Sequence, residues 1–454
     1  MRYYSISILS ALVVVSFLAL PASYSVNAQE AEAPVWEEGD KWAIGSEIAY
    51  LPDLSEVESK LEPILNTANA TLTEFSVISE AMFYSYWEVT EVTDTEYVLQ
   101  AKVGAKVASD ISVEIRAELP EEGTYQIYSD VFTWFASGFL GATKEMKTIS
   151  IDFDEDFAIY SEGYLYLEKS TMAVERIDWE LRSSSIVNFD ATNIPSVNVE
   201  EKTFPLREVT INYSNYNVAL RFDMNSDLEI EFDPHLDIFE FPFDVGDSWT
   251  VDSTATISGT IEGLIDINGL PEDAEEQIFT EEFIEKTGIS HFPIEFDELQ
   301  ISEGDLSVHD GVIEPVEKTV NIDLKCIGKV GLSTSDAGQI QVYIIQVDNG
   351  AQYIYYSAER KFLAGTEFGF DAIDLPSEIP SGMIGDIEFE PLAVDPDTAD
   401  EKLGEISQYQ SAISDEATGK TGLDGLGGWA MILIIALVIG VVVVAAILLF
   451  IRKK

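Results

Sequence analysis

The stretch FPFDVGDSWTV, Phe241 to Val251, repeats a pattern met earlier in the chain, VWEEGDKWAI at Val35 to Ile44. Both contain Gly-Asp-x-Trp: Gly39, Asp40 and Trp42 in the first, Gly246, Asp247 and Trp249 in the second. Glycine permits a positive-φ turn, aspartate can hydrogen-bond the backbone of that turn, and tryptophan then opens a strand. A catalytic site used twice and a folding unit used twice would both leave this mark. The order of further matches favours the folding unit. IEFDP at Ile230–Pro234 ends the first copy and IEFEP at Ile387–Pro391 ends the second. Between turn and ending lie two similar aromatic hairpins, GYLYLEKSTMAV from Gly163 and QYIYYSAERKFL from Gln352. The expectation is a duplication, its first copy longer by roughly 50 residues, with Trp42 and Trp249 buried at equivalent places.

Between these marks, period-two alternation dominates. Ile111, Val113, Ile115, Ala117 and Leu119 alternate with Ser112, Glu114, Arg116 and Glu118; Ile149–Phe153, Val209–Tyr213 and Val218–Phe222 behave alike. Such alternation denotes antiparallel sheet with one buried and one wet face. Ile340 to Ile345 is apolar on both faces. Turns such as Glu121-Glu122-Gly123 and Asp348-Asn349-Gly350 punctuate the strands. Helical patterns are few: Ser55–Leu65, and Pro271–Lys286 with its stripe of Ile278, Phe279, Phe283 and Ile284. The expected fold is mainly β with a few covering helices: two tandem curved antiparallel sheets or half-barrels, plus a C-terminal transmembrane helix.

The two ends carry targeting signals. Residues 1–28 read as a secretory signal peptide, with Arg2, an apolar core from Ile6 to Leu20 and small residues at Val26-Asn27-Ala28. Trp429 to Ile451 contains no charge and, as a helix, spans roughly 34 Å, enough to cross a bilayer. Arg452-Lys453-Lys454 follows and reads as the cytoplasmic tail of a single-pass type I cell-membrane protein, with everything before the helix extracellular. The expected organisation is therefore β-rich domains over 29–240 and 241–392, an acidic and glycine-rich stalk over 393–428 with a weak helix around Lys402 to Ile413, the membrane helix over 429–451 and the tail over 452–454. Ala436 and Gly440 in that helix have the spacing of a small-residue dimer contact.

All 82 acidic residues lie between 29 and 428, and four of the 25 basic residues (Arg2, Arg452, Lys453, Lys454) lie outside it, so this span carries 21 − 82 = −61. A field of that sign repels nucleic acid and anionic head groups and excludes both as partners. The single cysteine, Cys326, has no partner within the chain and reads as a small buried strand residue.

FPFDVGDSW, CIGKVGLSTSDAGQIQVYIIQV and YIYYSAERKFL together resemble a pattern in uncharacterised prokaryotic, chiefly archaeal, cell-surface proteins with lipoprotein-carrier-like β domains. The resemblance implies a half-barrel whose concave face is closed by helices, and it concerns fold rather than activity. The Trp36-Glu37-Glu38 version departs from it by lacking the Phe-Pro lead-in.

Residues for chemistry are sparse. His235, His291 and His309 are far apart and form no zinc or triad spacing, and no nucleotide-binding or nucleophile-elbow motif occurs, so no enzyme activity is expected. Asp152, Asp154 and Asp156 offer Ca²⁺ a strand-end site, against the plainer reading of a solvated acidic turn; no other cofactor is expected. Phe132, Trp134, Phe135, Phe139 and Leu140, in VFTWFASGFLG, read as core or as the lip of a hydrophobic cavity. Asn69 and Asn212 begin glycosylation sequons. The leading functional expectation is a non-catalytic, membrane-anchored envelope or interaction module with envelope components as partners. Binding of a lipophilic ligand on the concave face is the alternative, and a carboxylate-based hydrolase the third reading.

Overall fold

The computed structural model describes residues 31–417, apart from 51–69, 129–138, 202–205, 368–391 and several shorter stretches, most of them between 271 and 351. In the first Gly-Asp-x-Trp turn, the Gly39 N–H donates to Val89 O (2.8 Å) and the Val89 N–H returns to Asp40 O (2.9 Å). In the second, the Gly246 N–H donates to Cys326 O (2.7 Å) and the Cys326 N–H returns to Asp247 O (2.9 Å). The aspartate closes each turn: Asp40 Oδ2 accepts from the Glu37 N–H at 2.9 Å, and Asp247 Oδ2 from the Asp244 N–H at 2.8 Å. Both glycines have positive φ, +91° and +106°.

Each turn launches six strands. The first set is β1 (Lys41–Tyr50), β2 (Ala70–Val92), β3 (Glu96–Pro120), β5 (Lys144–Glu168), β6 (Val174–Glu201) and β7 (Arg207–Leu236), with a short β4 (Gly123–Ile127) paired to β7. The second is β8 (Ser248–Asn268), β12 (Val312–Thr334), β13 (Gly338–Val347), β14 (Gln352–Ser357), β15 (Phe362–Glu367) and β16 (Leu392–Ala393), with β9 (Ile294–Glu295), β10 (Gln300–Glu303) and β11 (Leu306–His309) inserted after β8. Two of the ladder irregularities recur in step. The β2–β3 ladder bulges between Val89 and Glu91, and the β12–β13 ladder between Cys326 and Gly328. The β5–β6 hairpin slips after Tyr166 and takes positive φ at Met172; the β14–β15 hairpin slips after Tyr355 and takes positive φ at Lys361. A bulge costs the ladder a hydrogen-bonded pair, and matched bulges at matched positions are what the duplication expected from the sequence would leave. The extra length of the first copy resides in β3, β5, β6 and β7, at 25, 25, 28 and 30 residues.

The two copies do not form separate half-barrels. β7 pairs with β8, β8 with β12, and β16 with β1, all antiparallel, so twelve strands close into one barrel. A six-strand sheet presents a row of unpaired N–H and C=O groups along each edge strand; here the copies meet edge to edge along a long β7–β8 seam and at a short contact where β16 pairs with Ile44 and Gly45 of β1.

A twelve-strand barrel is wider than one whose walls can fill it with ordinary side chains. The inward positions accordingly carry bulk: five of the chain's seven tryptophans, Trp36, Trp42, Trp87, Trp179 and Trp249, lie in the interior cluster. Trp42 and Trp249, as expected, are buried at matching places, 5% and 7% exposed. Cys326 is fully buried there, and burial pushes its thiol up to about 12.

One helix, α1 (Pro396–Ala417), is seen among the described residues with more than isolated turns. The Asp395 carboxylate caps it through the Thr398 N–H (3.0 Å), and proline occupies the first helical position. Ala399, Leu403, Ile406, Gln410 and Ile413 recur at intervals of four and three residues and are buried against Tyr84, Tyr86, Ala158 and Tyr160. Those strand residues alternate with the inward-facing ones, so α1 crosses the outer wall of the barrel. This corrects two expectations. The described helix covers the convex face, not the concave one, and the chain to residue 417 belongs to the folded body rather than to a stalk beginning at 393. Among the described residues no helix is long and apolar enough to cross a membrane. The signal segment 1–28, Ser55–Leu65, most of Pro271–Lys286, IEFEP and Trp429–Ile451 all lie outside the described residues.

Candidate functional site

At the end of the barrel bearing the two turns, the chain leading into each turn passes over the interior. The first strap, residues 31–38, and the second, residues 237–243, are joined to one another: the Ala31 N–H donates to Phe243 O (2.7 Å) and the Phe243 N–H to Ala31 O (3.2 Å). Trp36 and Phe243 stand at the same place, three residues before the turn glycine, and each packs on the tryptophan that follows, Trp36 on Trp42 and Phe243 on Trp249, both at 5.3 Å between ring centroids. The Trp36 indole N–H donates to Lys361 O (2.9 Å), the Trp42 indole N–H to Arg360 O (2.7 Å), and Lys361 Nζ donates to Val35 O (2.8 Å). The first copy's strap is thus fastened to the second copy's hairpin.

Beneath the straps lies a cavity of about 80 Å³. Its walls are Leu165, Leu167, Met172 and Val174 from the first hairpin, Tyr356, Phe362 and Leu363 from the second, and Ile177, Ile230 and Phe232 from β6 and β7. Trp36, Phe239 and Phe241 cover it. The lining has almost no polar surface. Lys361 reaches the rim, where its amine is held by Val35 O. The exception is Tyr356: the residue is 2% exposed, packs against Phe239 and Phe241 at 5.3 and 5.5 Å, and its buried hydroxyl has no hydrogen-bond partner. Burial raises the Tyr356 pKa above the ordinary phenol value, so the group is protonated at neutral pH.

A second, open cleft of about 690 Å³ lies across the second strap and carries Glu168, Asp233, His235, Asp237, Glu240 and Asp252. His235 Nδ1 approaches Glu168 Oε2 at 3.7 Å. Burial, reinforced by the Glu240 charge, raises Asp237 to about 6. The strap therefore has a polar side at Asp237 and an apolar side at Ile238, Phe239 and Phe241.

The residues singled out from sequence are placed as follows. Phe132, Trp134, Phe135 and Leu140 lie outside the described residues. Phe139 is buried with Leu119, Ile127, Val209 and Ile211, a cluster separate from the cavity lining. Asp152, Asp154 and Asp156 share the outer face of β5; Asp152 accepts from Ser112 (2.6 Å) and Ser150 (2.8 Å), and Asp156 accepts from the Tyr409 hydroxyl of α1. Among the described residues no group of three His, Cys, Asp or Glu side chains is disposed to hold a metal ion. Asn212 is exposed on β7, and Asn69 lies outside the described residues. The cavity residues were not chosen as a site from sequence, yet most sit in the stretches that the repeat had marked.

No protein-family model matches the chain, and no curated protein or solved structure is significantly similar to it.

Proposed function

We propose that the protein is a non-catalytic binding protein that holds a small lipophilic molecule in the strapped end of its barrel, displayed outside the cell on a membrane anchor. The cavity carries this reading. It is apolar, and it is built from both copies at the place where the copies meet. Its volume corresponds to about five to eight water-sized positions, which suits a ring or a short alkyl segment rather than a whole lipid. Apolar cavities of this kind stay dry and take up apolar guests. The anchor and the external location rest on the two end segments of the sequence.

The barrel strands run from Lys41 to Ala393 and α1 continues to Ala417, so the segment 29–428 spans every described element. The test uses that segment with its methionines labelled at the ε-methyl. Met172 lines the cavity, and Met82, Met146 and Met224 do not. Titration with cyclohexane should shift the Met172 resonance saturably and leave those three unmoved. No shift at Met172 would end the reading.

A further inference from the structure

The cavity has one feature that an apolar pocket does not need. Tyr356 presents a phenol to it, and among the described residues this is the only tyrosine whose buried hydroxyl lacks a partner. Other buried tyrosines show how such groups are normally treated in this barrel. The Tyr343 hydroxyl accepts from Lys329 Nζ at 3.0 Å, the Tyr97 hydroxyl accepts from the Trp36 N–H at 3.3 Å, and Tyr84 donates to Glu47 at 2.9 Å. Buried polar groups that go unpaired are rare and each calls for a cause.

The fold does not supply that cause. In the first copy the position equivalent to Tyr356 is Leu167: both follow the hairpin bulge, and both face the same cavity. Leucine there closes the wall without a polar atom, so the hydroxyl is not a requirement of the copied backbone. Phenylalanine would fill the same ring volume at Tyr356. A water molecule is a poor partner as well, because a buried water needs two to four polar contacts and the lining offers few other polar side-chain groups, of which Lys361 Nζ is held by Val35 O and the Trp36 indole N–H by Lys361 O.

We infer that the bound molecule is neutral and mainly apolar, carries one hydrogen-bond-accepting oxygen, and accepts a hydrogen bond at that oxygen from the Tyr356 hydroxyl. This rests on the binding role proposed above and adds the chemical class of the ligand. A phenol kept protonated by burial donates to a carbonyl, ether or hydroxyl oxygen. A carboxylate is disfavoured, since a single neutral donor cannot compensate an ionised group in an apolar cavity. Ketones, esters and alcohols fit the class, whereas free fatty acids and plain hydrocarbons do not make use of the hydroxyl.

The experiment compares cyclohexanone, cyclohexane and cyclohexanecarboxylate on segment 29–428, with the Met172 methyl as reporter, in the wild type and in Tyr356→Phe. Tyr356→Leu, which copies the first half, serves if the phenylalanine variant does not fold. The wild type should bind both neutral probes and reject the carboxylate. Tyr356→Phe should lose about tenfold in cyclohexanone affinity and leave cyclohexane affinity unchanged or slightly improved. Equal cyclohexanone affinity in wild type and variant would overturn the role of Tyr356 while leaving the cavity as a binding site. Tight binding of the carboxylate would overturn the chemical class. Failure of every probe to move Met172 in the wild type would remove the binding site itself.

Discussion

Replacing the two turn glycines by alanine, singly and together, tests whether the copies are physically equivalent. Gly39 and Gly246 have φ of +91° and +106°, and a Cβ built on either meets no atom within 4 Å. Steric conflict with the rest of the protein therefore contributes nothing, and the cost is that of forcing an L-residue into a positive-φ conformation. That penalty is about 1–2 kcal/mol, rising towards about 3 kcal/mol away from the left-handed helical well. Alanine also restricts the unfolded chain, which returns about 0.4–1 kcal/mol. Each substitution should accordingly destabilise by about 1–2 kcal/mol. The turns are fastened to different ladders, at Val89 and at Cys326, so the double variant should lose the sum, about 2–4 kcal/mol. Gly404 supplies the control: it lies inside α1, and its Cβ also meets nothing within 4 Å, so Gly404→Ala should stabilise by about 0.5–1 kcal/mol. The assay is equilibrium urea unfolding of segment 29–428, followed by tryptophan fluorescence. If one glycine tolerates alanine freely while the other does not, the two turns are not the same device and the duplicated-unit account of the barrel fails.

Three further outcomes follow from the same geometry. Ile406, fully buried on the barrel-facing side of α1, should cost about 2–5 kcal/mol on truncation to alanine; Ile406→Asp should release the helix, read as rapid amide exchange across 396–417 with the β-sheet signal retained. Asp237 is raised to about 6 from an ordinary carboxylate value near 4, so the folded state favours its protonated form; stability should fall as pH rises from about 4 to about 6, and Asp237→Asn should remove that part of the pH dependence in thermal unfolding profiles. The Cys326 thiol, fully buried and pushed up to about 12, should resist alkylation by iodoacetamide in the native protein at neutral pH and react once denaturant is added, as mass spectrometry would show.

The local devices were legible in the sequence because they are encoded locally. A glycine before an aspartate and a tryptophan specifies its own turn, and the aromatic hairpins announce themselves by alternation around a charged bend. Closure was not legible. Whether β7 pairs with β8 and β16 with β1 is a property of edges far apart in the chain, on which a period-two pattern is silent. α1 was underestimated because Ala399, Leu403, Ile406 and Ile413 form a narrow stripe in an otherwise polar and acidic segment, whose average composition resembles a linker. The cavity was overlooked for a related reason. Trp36, Leu165, Ile230 and Phe362 were all within stretches recognised as repeated, but their convergence depends on the barrel's circumference. Repetition marks architecture, and the repeated stretches also line the apolar cavity beneath the straps.

The mutual satisfaction of the two copies' edges has an evolutionary consequence. A chain holding a single six-strand copy would have had two open edges, and a second identical chain, related by a two-fold axis, is the partner that closes both. In that homodimer the straps would meet at the axis, and every residue of the pocket would occur twice, once from each subunit. Fusion of two such copies into one chain would make assembly independent of concentration and would also release the halves from identity. The pair Leu167 and Tyr356, equivalent in position and different in chemistry, is a difference that only the fused chain can hold.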